Sequence, residues 1–216
     1  FKNNPPEVPV KDNHVGSYRR TIDLPQSWDG RQVVAHFGSV TSNIYLYVNG
    51  MFAGYAEDSK VAAEFDVTPF LHPGKNLIAF QTFRWCDGSY SEDQDFWRLS
   101  GVGRDCYLYS RPAKAHIDNL QVTPDLDAQY RDGQLSVRAS MKGSAMFVFD
   151  LIDPQGRQVS RKVINASKVK AKNGGPAVIS HNLKFDVKEP QKWTAETPQL
   201  YTLVATVQQG GKELES

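Results

Sequence analysis

The chain of 216 residues carries 25 Lys+Arg against 24 Asp+Glu, with 40% hydrophobic and 23% charged residues. That balance supports one or two packed domains and excludes a disordered chain. Residues 1–112 hold 11 basic and 13 acidic side chains and residues 113–216 hold 14 and 11, so neither half is the polybasic module that a nucleic-acid partner selects, and no run approaches the ~20 apolar residues of a membrane helix.

The elements read as short strands between turns. Residues 1–16 are rich in Pro and Asn and form an extended lead-in. Residues 15–24 alternate partly and stop at Pro25, and Asp29-Gly30 closes a turn. Residues 32–37 and 43–48 are strands, and Asn49-Gly50 predicts a tight hairpin returning through residues 51–56. Residues 63–67 form a short strand. Thr68-Pro69-Phe70-Leu71 predicts one helical turn with Thr68 as its cap. Residues 77–85 form a long strand, residues 86–101 have no period, and residues 104–109 close the set. With no sustained helical period, this pattern predicts a β-sandwich.

Pro112 marks the boundary between domains 1–112 and 113–216. The second predicts strands near residues 116–124, 134–141, 146–152, 158–163, 178–187 and 200–207, the count of an immunoglobulin-like or fibronectin-like sandwich. Residues 165–177, with three Lys and two Gly, read as a mobile loop. Both ends of the chain look cut, with one strand expected beyond Ser216. No signal peptide is visible, which leaves cytoplasmic and periplasmic locations open. Cys86 and Cys106 both fall in stretches read as strands, so buried free thiols are expected, with a single bridge between them as the alternative.

Chemistry concentrates in residues 84–101, which hold four carboxylates, two Arg, two Trp, one Tyr and one Phe. Aromatic faces beside carboxylates suit a sugar, whose C–H patches stack while its hydroxyls donate. The same composition also suits a long loop pinned by buried Trp and by Arg–carboxylate pairs. Glu92 and Asp95 lie three apart in a loop that cannot oppose them across a glycosidic bond, as hydrolysis requires. The five histidines are scattered without zinc-ligand spacing, and no phosphate-binding or nucleophile-elbow motif is present.

The string from Arg84 through Asp87-Gly88-Ser89-Tyr90, Glu92 and Gln94-Asp95-Phe96-Trp97-Arg98 to Gly103-Arg104-Asp105 resembles the signature region of glycoside hydrolase family 2 β-galactosidases. Val48-Asn49-Gly50, Gly54-Tyr55, Asp58-Ser59, Glu64-Phe65-Asp66 and Gly74-Lys75-Asn76-Leu77 extend the likeness upstream, and Trp193 to Tyr201 extends it downstream. The resemblance implies an all-β chain, a jelly-roll sugar-binding sandwich followed by an immunoglobulin-like one. It implies a retaining mechanism whose two catalytic glutamates come from a TIM barrel that is not among these residues, so no catalytic residue is expected here. Asp95 is the one residue it assigns to substrate, contacting galactose hydroxyls and helping to hold Na+ in the intact enzyme. Trp85, Asp87, Glu92, Trp97 and Arg98 would shape the loop that carries it. No cofactor is expected in this chain, and Na+ and Mg2+ are implied only for the intact enzyme. The implied partners are a β-galactoside, the barrel and further copies in a homo-oligomer, with neither nucleic acid nor membrane. The alternative is a stand-alone carbohydrate-binding module.

Overall fold

A computed structural model describes residues 5–92, 95, 97–166 and 178–216. It forms two compact units, Phe1–Arg111 and Pro112–Ser216.

Unit 1 is built from β1 (Val15–Leu24), β2 (Gln32–Phe37), β3 (Val40–Thr41), β4 (Asn43–Val48), β5 (Met51–Glu57), β6 (Ala63–Asp66), β7 (Gly74–Phe83), β8 (Gly101–Val102) and β9 (Cys106–Arg111). A four-stranded antiparallel sheet in the order β1-β7-β4-β5 faces a three-stranded sheet in the order β6-β2-β9, and β3 pairs with β8. Alternation in β4 sends Ile44, Leu46 and Val48 inward to meet Val33, Ala35 and Phe37 of β2, all buried. Asn49 and Gly50 take φ of 51° and 82°, closing the β4–β5 hairpin. The Asn49 side chain then bridges to Phe70 O and Asn76 Oδ1 and accepts from Leu77 N, at 2.8–2.9 Å. Asn76, itself 1% exposed, holds the His72 turn through bonds to His72 N and O. Gly54 is required by a close approach: a Cβ there would lie 2.4 Å from the Phe65 ring.

Unit 2 contains β10 (His116–Leu126), β11 (Gly133–Lys142), β12 (Met146–Ile152), β13 (Gln158–Asn165), β14 (Val178–Val187), β15 (Thr202–Gln209) and β16 (Lys212–Glu215). Sheets in the orders β10-β11-β14 and β13-β12-β15-β16 enclose Phe147, Phe149 and Phe185, each fully buried, with Val137, Met141 and Val207. The all-β reading of two sandwiches therefore holds.

Several local expectations need correction. Thr68 does not cap its helical turn. Thr68–Phe70 forms a 3-10 turn with Val67 at the cap position, while the Thr68 hydroxyl accepts from Val33 N at 2.8 Å and donates to Asp66. Residues 86–101 contain a helical turn, Gly88–Ser91. β3, β8 and β16 carry too few residues for alternation to reveal, and register alone identifies them. Cys86 is buried as expected, but Cys106 is exposed at the edge of its sheet, and both thiols are free. Most of the segment read as a mobile loop, residues 167–177, lies outside the described residues, as do Asp93, Gln94 and Phe96.

Candidate functional site: an open pocket at the signature loop

The signature segment leaves the end of β7 and crosses one end of unit 1. Asn13 ties its start to the lead-in, donating to Trp85 O and accepting from Trp85 N, both at 2.9 Å. The guanidinium groups of Arg84 and Arg98 lie 5.2 and 5.6 Å from the Trp85 ring centre, within cation–π range. Asp87 begins the helical turn and accepts from Gly88 N at 3.2 Å.

Glu92 ends that turn and is committed to structure. It accepts from Ser59 N at 2.8 Å through one carboxylate oxygen and from the Ser59 hydroxyl through the other. Ser59 is 1% exposed and follows Asp58, whose φ of 90° turns the backbone so that the Ser59 N–H meets the carboxylate. Ser39 in turn donates to Ser59 O at 2.6 Å.

Asp95 differs. Its side chain is exposed, and among the described residues its carboxylate has no hydrogen-bond or ion-pair partner. It lines an open cavity of about 500 Å3 together with Ser59, Trp85, Glu92, Trp97, Arg98 and Arg104. Trp97 is 78% exposed, so it does not pin the loop as a buried indole would. The contacts that hold the segment include Asn13 on Trp85, Ser59 on Glu92, the Tyr90 hydroxyl on Glu7 O, Arg104 on Lys60 O and the two cation–π contacts.

Sequence reasoning named Asp58-Ser59 only as a family string and did not see its contact with Glu92. Asp tolerates positive φ, but the partner that this turn meets lies 33 positions away and is set by tertiary register. It also missed the convergence of Glu57, Cys86 and Asp87, whose ligating atoms lie within 4.8 Å of one another. Two hard carboxylate oxygens there suit Mg2+, whereas the thiol does not. Tyr55 donates its hydroxyl to Glu57, and burial together with that bond pushes the phenol above its ordinary range. No group of opposed, unengaged carboxylates flanks the cavity among the described residues.

Residues 2–112 match the family description "Glycosyl hydrolases family 2, sugar binding domain", and residues 115–216 match "Glycosyl hydrolases family 2". The chain belongs to glycoside hydrolase family 2. A β-galactosidase of Priestia megaterium is 40% identical over 210 residues, which cover 94% of this chain and 20% of that protein. A β-galactosidase of Alteromonas mediterranea is 40% identical over 212 residues, 96% of this chain and 20% of that protein. The chain thus spans about a fifth of the length of the curated relatives it matches. Among solved structures, a β-glucuronidase of Bacteroides uniformis superposes with a TM-score of 0.79 at 24% identity, covering 92% of this chain and 25% of that one. A structure described as a putative β-galactosidase of Bacteroides fragilis gives 0.78 at 18% identity over 94% and 32%. At those identities the likeness carries the family 2 fold alone.

Proposed function

We propose that these residues form the non-catalytic front part of a retaining β-galactosidase that hydrolyses terminal β-D-galactose residues. In this reading Asp95 is lent to an active site whose acid and nucleophile lie in a barrel outside the 216 residues. The observation that carries it is the contrast within one loop: Glu92 has both oxygens bound by Ser59, while Asp95 stands exposed and unengaged at the rim of an open cavity. An ionised carboxylate accepts hydrogen bonds from two or more hydroxyls, so Asp95 can fix a sugar's orientation. It can equally supply one oxygen ligand to Na+. Mg2+ belongs, in the same reading, to the intact enzyme. Among the described residues no acid and nucleophile are placed across a bond, so the chain alone is expected to be inactive.

Hydrolysis of a chromogenic β-galactoside tests this with two samples, the 216-residue chain and the longer polypeptide carrying Asp95→Asn. The chain should show no turnover. The substituted enzyme should lose on the order of 10²-fold in kcat/KM, the scale of a lost positioning contact. Activity in the chain alone would overturn the reading. An unimpaired Asp95→Asn enzyme would return Asp95 to a loop residue.

One observation favours a second reading, a carbohydrate-binding module that works alone. The Trp97 indole is 78% exposed and lines the same cavity as Asp95, and such a ring can stack on a sugar. Galactose-dependent change in the tryptophan fluorescence of the isolated chain, abolished by Trp97→Ala, would support that reading.

A further inference from the structure

The two sheets of unit 1 are unequal. β5 lies over β6, where Gly54 meets the Phe65 ring, and Phe37 of β2 packs edge-on against Phe80 of β7, with centroids 5.2 Å apart. Matching the orders β1-β7-β4-β5 and β6-β2-β9 from that side leaves β1 with no strand facing it. β9 is the corresponding open edge: it pairs with β2 alone among the described strands.

Register shows that interior positions are uncovered there. Residues paired across a ladder share a face. Tyr18 and Arg20 pair with Phe80 and Ile78, both packed against the core, so all four point between the sheets. Yet Tyr18 is 43% exposed, although its ring stacks on Phe80 at 4.7 Å. Cys106 pairs with Phe37, which is 4% exposed, and Leu108 pairs with Ala35, which is 1% exposed. Cys106 nevertheless meets solvent. Between β1 and β9 runs a trough of about 650 Å3, with Ile22, Trp28, Ile78, Phe80 and Leu108 among its walls.

The described part of the chain's own lead-in is anchored away from this trough. Asn13 and Glu7 are held at the opposite end of β1, by Trp85 and by the Tyr90 hydroxyl. The trough instead lies along Tyr18 to Pro25. An open sheet edge above exposed core positions invites strand pairing.

We propose that the trough is the seat of one further β-strand, supplied by the part of the same polypeptide that lies outside these 216 residues. That strand would pair with the free edge of β9, face β1, and send alternate apolar side chains onto Tyr18, Ile22, Phe80 and Leu108. Arg20 is the charged group at an inward position, and it selects a strand with an acceptor at the matching place. The inference rests on the reading of the chain as part of a longer enzyme. The curated relatives supply the reason for an occupant in cis: four fifths of their length lies outside the region they share with this chain.

Cys106 is the reporter. A bulky thiol reagent is applied at mildly alkaline pH, because burial pushes this thiol above its ordinary range, and labelling is read on the peptide that carries Cys106. Hydrogen exchange follows the amides of Cys106–Arg111 in the same samples. In the 216-residue chain, Cys106 should label readily while Cys86, 6% exposed, stays slow. In the longer polypeptide, Cys106 labelling and exchange of the β9 amides should slow by about tenfold or more. Equal reactivity in both proteins would overturn the inference. Protection in the isolated chain that rises with its concentration would also overturn it, in favour of a second copy. Galactosidase activity of the longer polypeptide is measured in parallel. Activity with an unprotected Cys106 removes this inference alone, and protection without activity removes the functional reading alone.

Discussion

Two carboxylates of unit 2, Asp150 and Asp153, are engaged by neighbouring donors, whereas unit 1 presents Asp95 with no partner among the described residues. In unit 2 the Asp150 carboxylate meets Arg161 in a two-pronged contact at 2.6 and 2.7 Å across the β12–β13 ladder. Asp153 accepts from the amides of Gln155 and Arg157, both at 2.9 Å, and from the Arg157 guanidinium at 2.8 Å. Its three core phenylalanines are sealed. Unit 1 has carboxylates of the same committed kind, Glu92 on Ser59 and Asp66 on Gln32 and Thr68, but it also presents Asp95 and Trp97 beside a cavity and leaves interior positions of β1 and β9 open. Residue type alone does not separate an engaged carboxylate from an unengaged one; the count of local donors does.

The largest effect should come from the sealed core. Phe147→Ala removes a fully buried ring and should destabilise unit 2 by about 3–5 kcal/mol, read as a lower urea midpoint at unchanged slope. Trp97→Ala in unit 1 should stay within about 0.5 kcal/mol. A comparable loss at Trp97 would break the contrast, since it would make that indole a structural pin. Next in size is Gly54→Ala, whose new methyl would press on the Phe65 ring and should cost about 1–3 kcal/mol through overpacking.

Glu92 and Asp95 sharpen the comparison within one loop. Glu92→Gln weakens two bonds to a charged acceptor, and the loss should be about 1–2 kcal/mol in thermal or denaturant unfolding. Asp95→Asn breaks no described contact and should leave stability unchanged within about 0.5 kcal/mol. If Asp95→Asn proved the more destabilising of the two, Asp95 would be a structural residue.

Much of this was readable in the chain. Alternation in residues 43–48 and the Asn49-Gly50 turn predict the central hairpin because both signals act over a few residues. The family strings gain physical reasons in the fold. Asn49 and Asn76 brace one another, and Gly54 makes room for Phe65. What was not readable depends on long-range register. The Ser59–Glu92 lock spans 33 positions and arises at a turn without glycine. The open trough is invisible to periodicity, because Tyr18 and Cys106 alternate as core residues should and are exposed where no described strand covers them. The exposure of Cys106, expected buried, is the clearest case.

The smallest effect is electrostatic and belongs to unit 2. Burial pushes the Asp153 carboxyl upward, but the Arg157 amide and guanidinium and the Gln155 amide outweigh it and hold the group below the usual carboxylate range. A carboxyl with a depressed folded-state pKa contributes stability that is fully present above its unfolded value, about 3.9, and is lost as pH falls through the folded value. Asp153→Asn keeps an oxygen that the two amides can still reach but removes the charge. Near pH 7 the variant should therefore unfold at a slightly lower temperature, and the gap should close below about pH 3.9 as the native carboxylate protonates. Because the Arg157 side chain is 73% exposed, added salt should shrink the neutral-pH gap. A gap that persisted unchanged at low pH would show that Asp153 acts through the geometry of its turn and not through its charge.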